Sequence, residues 1–248
     1  MNALAILGEA TAFALAALWN AVKAIPRPGL WLKPFAGMFL GSLPLAAVAG
    51  LAIGTVIWMH TRSVLERSGT GAAELLPTFL AAAVLLELAP IGAGLILASR
   101  TGASLGAELA SMKVNEQLDA LAVLGVSPLK RLVGPRVLAA TLTGPLLFTL
   151  ITVLALGSGY VAEMVQGSGT WLKYRHAALD GVDTRDGLVS IFKSLVFGAI
   201  VGVIGCRCGA QAGSGSEGVG RAATASVVVS TLLVLVADVL LVTLFKIL

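Results

Sequence analysis

The chain has 248 residues, of which 57% are hydrophobic and only 12% are charged, and its mean hydropathy is +0.95. Soluble globular domains are about 45–50% apolar and about 25% charged, so this chain has too little charge to cover a surface facing water. The composition excludes an ordinary soluble enzyme, a disordered protein and a nucleic-acid-binding protein. It indicates a polytopic membrane protein whose net charge of +4 comes from basic loops facing anionic cytoplasmic lipids.

Residues 1–33 predict a helix lying in the membrane interface, followed by a basic elbow. The apolar stretch from Ala10 to Val22 is shorter than the roughly 20 residues that a spanning helix needs. Lys23, Arg27 and Lys33 follow it, together with two prolines. This order is typical of an amphipathic helix on a membrane surface, and a loosely packed terminal helix is the alternative.

Residues 34–248 predict an all-α core of five transmembrane helices, and we expect residues 1–248 to form a single domain. The predicted spans are Pro34–Met59, Pro77–Ala107, Val137–Ala162, Gly187–Cys206 and Ala222–Phe245. An odd number of spans places the two chain ends on opposite sides of the membrane. More Lys and Arg residues fall on the N-terminal side, so the charge bias predicts a cytoplasmic N-terminus.

Pairs of glycines four residues apart recur in the predicted spans. They are Gly37/Gly41, Gly50/Gly54, Gly102/Gly106 and Gly198/Gly202. Such pairs let helix backbones approach closely in a membrane, where hydrophobicity cannot drive packing. We therefore expect at least some of them to lie at helix–helix contacts.

The loop between the second and third spans predicts a short amphipathic helix on the cytoplasmic face. Asn115 is a plausible N-cap, which places Glu116 and Asp119 in the first turn, where the helix dipole favours acids. Gly125 is expected to end this helix. Its apolar stripe consists of Leu118, Leu121, Ala122 and Val123. The helix either rests on lipid headgroups or docks a soluble partner, and the acids at its start favour docking.

Four ionisable residues lie within the predicted spans, where such residues are costly and usually face a cavity or each other. At 1.5 Å per residue, Glu87 lies about 15 Å and Lys193 about 9 Å from the outer ends of their helices. Their side chains can therefore form an inter-helix pair or line a polar cavity, and snorkelling of Lys193 to the surface is the alternative. Arg100 is expected to snorkel inward or to pair near Glu108, and Asp238 has no obvious partner.

The familiar signatures of catalysis and cofactor binding give no site. The glycines of residues 213–218 match a dinucleotide-binding spacing, but a membrane helix precedes them instead of a strand. His60 and His176 are isolated, and Cys206 and Cys208 have the wrong spacing for most zinc sites. There is no P-loop sequence for ATP. We expect no cofactor, no metal and no enzymatic activity of the chain itself.

Six short motifs recur in the order of a known family. They are E-L-A-P at 87–90, S-R-T-G at 99–102, N-E-Q-L-D-A-L at 115–121, V-G-P-R at 133–136, F-K-S-L at 192–195 and E-G-V-G-R at 217–221. With these motifs the chain resembles the MlaE-type permeases, the membrane subunits of ABC transporters that work with MCE proteins on lipids. The resemblance runs from about Pro77 to the C-terminus, and the first 75 residues match only in layout.

The resemblance implies a homodimeric permease in a bacterial inner membrane that moves phospholipids to or from a periplasmic MCE-domain protein and the outer membrane. It implies that a cytoplasmic ABC ATPase hydrolyses the ATP and docks through Glu116, Asp119, Leu121 and Leu124. A small accessory cytoplasmic subunit is a further partner that the family allows.

The resemblance also assigns Glu87 and Lys193 to the lipid pathway, the same two residues that depth in the membrane brings together. Some relatives have Arg immediately before the acid, whereas this chain has Leu86, so an Arg role in the pocket is absent or supplied elsewhere. The alternative function is a secondary transporter of lipids or small molecules, driven by an ion gradient with Glu87 as proton carrier.

Overall fold

A computed structural model describes residues 3–67, 75–166 and 170–247, and this part of the chain contains eight helices and no strand. The helices are α1 (Ala3–Ala24), α2 (Pro28–Arg67), α3 (Leu76–Val114), α4 (Gln117–Val123), α5 (Leu129–Val165), α6 (Trp171–Asp180), α7 (Thr184–Ala210) and α8 (Gly215–Ile247). Five of them, α2, α3, α5, α7 and α8, are long and apolar enough to cross a membrane. The predicted all-α class with five spans is confirmed.

The spanning helices are longer than the apolar segments that predicted them. The helix α2 has 40 residues and runs from Pro28 to Arg67, well beyond the predicted Pro34–Met59. The helix α7 begins at Thr184 because Asp183 caps it, with Asp186 completing a capping box. Helical backbone hydrogen bonding continues through charged and polar residues at both ends of the apolar segments. An apolar segment is therefore shorter than the helix that contains it.

Three spans form the centre of the molecule and two lie outside it. About half of the most apolar window is buried in α3, α5 and α7, against 22% in α2 and 17% in α8. The starts of α2, α5 and α8 lie on one side, which we call the inner face, with α4 and the ends of α3 and α7. The outer face carries α6 and the opposite ends of the spans.

Glycine contacts hold these helices close together. Three of the four predicted pairs lie at helix contacts: Gly50/Gly54 and Gly198/Gly202 against α5, and Gly102/Gly106 against α8. A Cβ on Gly198 would lie 2.5 Å from the carbonyl oxygen of Ala140, so only glycine fits there. The fourth pair differs, because Gly37 borders open space and Gly41 contacts the guanidinium of Arg100.

The helix α3 is interrupted by two π-helical turns, at Val84–Leu88 and Leu97–Gly102. Such turns are rare, carry one additional residue and often occur at functional sites. The first holds Glu87 and the second holds Arg100, the two charged residues of the predicted span Pro77–Ala107.

The two shorter helices of the inner half also form. The helix α1 is longer than the predicted stretch, and it packs against the start of α5 with Ala17, Ala21 and Ala24 buried. Its position in the membrane interface stays a prediction. The prediction of Asn115 as the N-cap of α4 is wrong: Asn115 ends α3, and Glu116, with a φ of 58°, is the N-cap residue.

Candidate functional site

Three charged side chains from three different spans meet in the outer half of the molecule. The Nζ of Lys193 on α7 lies 2.9 Å from Oε2 of Glu87 on α3 and 2.7 Å from Oδ1 of Asp238 on α8. We call these three residues the charge cluster. One ammonium group lies between two carboxylates, so the cluster links three helices electrostatically.

The members of the charge cluster differ sharply in exposure. Lys193 is 1% exposed and Asp238 is 7% exposed, whereas the side chain of Glu87 is 43% exposed. The contact of Lys193 with Asp238 has the length of an ion pair but not the angles of a hydrogen bond. Glu87 is therefore the member that something outside this chain can reach.

The backbone of the first π turn helps to position the ammonium group of Lys193. Its ammonium also donates a hydrogen bond of 3.1 Å to the carbonyl oxygen of Leu86, within the first π turn of α3. A buried ammonium is tolerated only when its donors are satisfied. The Glu87 carboxylate and the Leu86 carbonyl accept hydrogen bonds from two of the three donors of the lysine, and the Asp238 carboxylate adds an ion-pair contact.

The predicted inter-helix pair of Glu87 and Lys193 is confirmed, and snorkelling of Lys193 is wrong because the side chain is buried. Sequence reasoning missed the partner of Asp238. A signal was present: Asp238 lies nine residues before Ile247 and Lys193 nine residues after Thr184, so both are about 14 Å from the outer ends of their helices.

Arg100 lies in the inner half and has a different partner from the one predicted. Its Nε donates a 2.7 Å hydrogen bond to the carbonyl oxygen of Gly41. The prediction that it pairs near Glu108 is wrong, because Glu108 forms a 2.7 Å ion pair with Arg136. Arg100, Glu108 and Arg136 line a cavity of about 510 Å³ in the inner half of the molecule, between α2, α3 and α5.

The inner face exposes the residues predicted for ATPase coupling, with one exception. Glu116, Asp119 and Leu124 are exposed, and Leu124 is 76% exposed, whereas Leu121 is half-buried against the protein. Val123, a member of the predicted apolar stripe, is 88% exposed and is the most exposed large apolar side chain of this face. We call Val123 and Leu124 with Glu116 and Asp119 the α4 patch.

Polar and aromatic side chains surround α6 on the outer face. This helix lies in the predicted outer loop Gln166–Asp186, of which residues 167–169 lie outside the described residues. The indole of Trp58 donates a 2.7 Å hydrogen bond to Glu163, and the hydroxyl of Tyr174 donates to the carbonyl of Leu156. Burial, and secondly the charge of Glu163, raises the pKa of Tyr174 above its ordinary value. Tyr174 therefore stays a neutral donor that fixes α6 to α5.

Comparison with known proteins agrees with this architecture. The family model described as Permease MlaE matches residues 31–244. A probable ABC transporter permease protein of Rickettsia prowazekii is 36% identical over 232 residues, which cover 91% of this chain and 88% of that protein. Its counterpart in Rickettsia typhi is 37% identical over 228 residues, covering 89% and 86%.

The chain belongs to the MlaE permease family. It is a multi-pass membrane protein and an ABC transporter permease subunit. A more distant relative, the chloroplastic protein TRIGALACTOSYLDIACYLGLYCEROL 1 of Arabidopsis thaliana, is 32% identical over 231 residues, covering 79% of this chain and 65% of that protein. The residues that the family model matches, 31–244, include the helices of both the charge cluster and the α4 patch.

Proposed function

We propose that this permease works as a homodimer in a bacterial inner membrane and moves phospholipids to or from a periplasmic MCE-domain protein and the outer membrane. A separate cytoplasmic ABC ATPase supplies the energy. The single observation that carries this proposal is the charge cluster, whose Glu87 carboxylate is open at membrane depth. Such a group faces a polar cavity or a partner and not lipid tails.

The open side of the cluster supports a dimer around a lipid pathway. The helices α2 and α8 are the least buried spans, and a groove lined by Leu45, Arg100 and Ala223 runs between α2, α3 and α8. A second copy against this side would enclose the groove, and the proposal places Glu87 at the outer end of the same enclosed space. The enclosed space would have apolar walls for acyl chains and a charged end for a headgroup.

Lipid as the cargo is also supported by the relative named after trigalactosyldiacylglycerol, a diacylglycerol lipid with a sugar headgroup. A cargo with two acyl chains suits a pathway between apolar spans. The charge cluster offers a headgroup the exposed carboxylate of Glu87, which the buried ammonium of Lys193 holds in place from beneath.

The α4 patch is the proposed docking site of the ATPase. It combines two exposed apolar side chains with two acids, on a seven-residue helix between two spans and on the residues that flank this helix. Movement of such a helix would be transmitted directly to α3 and α5. The cytoplasmic N-terminus, the MCE ring on the outer face and a small accessory cytoplasmic subunit complete the proposed assembly.

The proposal is tested with the purified complex of permease, ATPase and MCE protein in liposomes containing labelled phospholipid. We expect ATP-dependent lipid transfer that Glu87→Gln reduces at least tenfold, with the complex still assembled. Glu66→Gln on the outer face is the matched control, because that acid pairs with Arg62 outside the cluster. Transfer driven by an ion gradient without ATP would instead establish the secondary-transporter alternative.

A further inference from the structure

A small basic pocket lies on the inner face where the end of α1, the elbow before α2 and the start of α5 meet. Its volume is about 220 Å³, and Asn20, Lys23, Arg27, Leu30 and Lys130 are among the residues that line it. Pockets for drug-sized ligands begin at about 300 Å³. This one has room for a small group such as a phosphate diester.

The charges of the pocket are all of one sign. Lys23, Arg27 and Lys130 are cationic, and none of the lining residues is acidic. Among the described residues, none of the three forms an ion pair with a carboxylate. Arg136, on the same face, is by contrast paired with Glu108. The pocket is therefore lined by three cations that form no ion pair within the described part of the chain.

Packing fixes the walls of the pocket. A Cβ on Gly134 of α5 would lie 2.7 Å from the backbone of Asn20, so α1 and α5 are in backbone contact beside it. Ala21 and Ala24 of α1 are buried in the same core cluster as Val133. The cations on α1 and α5 are thus held near each other by the fold and do not need a ligand to bring them together.

An apolar surface adjoins the pocket. Trp19, Val22 and Ile25 are all exposed at the end of α1, and the ammonium of Lys23 lies 4.7 Å from the centroid of the Trp19 ring. An exposed tryptophan beside basic residues at the end of a spanning bundle is typical of the boundary between headgroups and acyl chains. An occupant that uses both features has an anionic head and apolar chains.

We propose that this pocket binds the phosphate of an anionic phospholipid in the leaflet at the inner face, with its chains along Trp19 and Val22. The site lies at the opposite end of the spans from the charge cluster, so it is separate from the proposed pathway for cargo. It requires that the five spans lie in a membrane and that the end of α1 lies at the level of the headgroups, as the sequence predicts. Basic pockets between helices at this depth suit acidic lipid headgroups.

The test uses the purified full-length permease, without ATP or partners, in phosphatidylcholine nanodiscs containing increasing fractions of phosphatidylglycerol. Native mass spectrometry counts the retained phosphatidylglycerol, and the melting temperature reports its stabilisation. Since each cation near a headgroup contributes about 1 kcal/mol, we expect Arg27→Gln/Lys130→Gln to weaken retention by roughly 30-fold. Arg131→Gln, exposed beside Lys130 but outside the pocket, is the matched control and is expected to retain lipid.

Two further measurements keep the result decisive. Lys130→Arg preserves the charge and is expected to bind normally, and melting in pure phosphatidylcholine identifies a variant that fails to fold. An equal loss of phosphatidylglycerol retention in Arg131→Gln would overturn the proposal, because it would indicate a general attraction of anionic lipids to the basic surface. Equal stabilisation by millimolar inorganic phosphate would overturn it in favour of a free-phosphate site. Lipid transfer is not a readout here, so failure of the proposed transport function leaves this result unaffected.

Discussion

The charge cluster and the α4 patch lie in opposite halves of the molecule and use their side chains in opposite ways. In the outer half, Lys193 and Asp238 are buried and paired within the chain. On the inner face, Val123 and Leu124 are apolar and exposed. A buried side chain whose partners lie in the same chain stabilises the fold, whereas an exposed apolar side chain is available to contact another subunit. The two regions should therefore respond differently to mutation.

The largest effect is expected from Lys193→Ala. It leaves the carboxylate of Asp238 buried without a counter-charge, and breaking a buried pair costs about 3–5 kcal/mol. We expect a large fall in the melting temperature and in the yield of monodisperse protein. The double variant Lys193→Met/Asp238→Leu removes the pair together and should recover most of the loss. Normal melting of Lys193→Ala would contradict a structural role for the cluster.

Gly198→Ala comes next. Its Cβ would overlap the carbonyl oxygen of Ala140, and overpacking costs about 1–3 kcal/mol. Gly187→Ala on the same helix is the matched control, because a Cβ there has open space. The difference between the two melting temperatures measures the packing of α7 on α5. Equal melting of both variants would show that this helix contact adapts freely.

Glu87→Gln should separate stability from function. The side chain is half-exposed, and the ion pair of Lys193 with Asp238 remains intact in this variant. The expected loss of stability is therefore below about 1 kcal/mol. Lipid transfer should nevertheless fall at least tenfold. We therefore expect this variant to melt near the normal temperature while its lipid transfer is lost. Normal lipid transfer would contradict a role of Glu87 in the proposed pathway.

The smallest effect on stability is expected from Leu124→Ser, within about 0.5 kcal/mol, because the side chain is mostly exposed. Co-purification of the ATPase should fall severalfold if the α4 patch is its docking site. Leu172→Ser, exposed on the outer face, is the matched control and should leave the ATPase bound. Equal retention by both variants would count against docking through α4.

Much of this architecture could be predicted from the sequence because apolar runs between charges identify spans directly. The pair of Glu87 and Lys193 followed from depth, since one helical rise per residue fixes the level of each charge. Asp238 was missed because its pairing also depends on which helices are neighbours, and depth alone does not give lateral order. The bond from Arg100 to the Gly41 carbonyl was missed for a related reason, since backbone acceptors have no sequence signature.

The π turns of α3 have a consequence for how this helix faces its neighbours. One residue corresponds to about 100° around an α-helix, so each additional residue advances the angular phase of everything beyond it. Near the outer face, Leu80 packs beside Gly159 of α5, and near the inner face Gly106 packs against Ala222 of α8. The two π turns together change the angular position of the inner part of α3 by about 200° relative to an uninterrupted α-helix of the same sequence. They therefore decide which face of α3 meets α8.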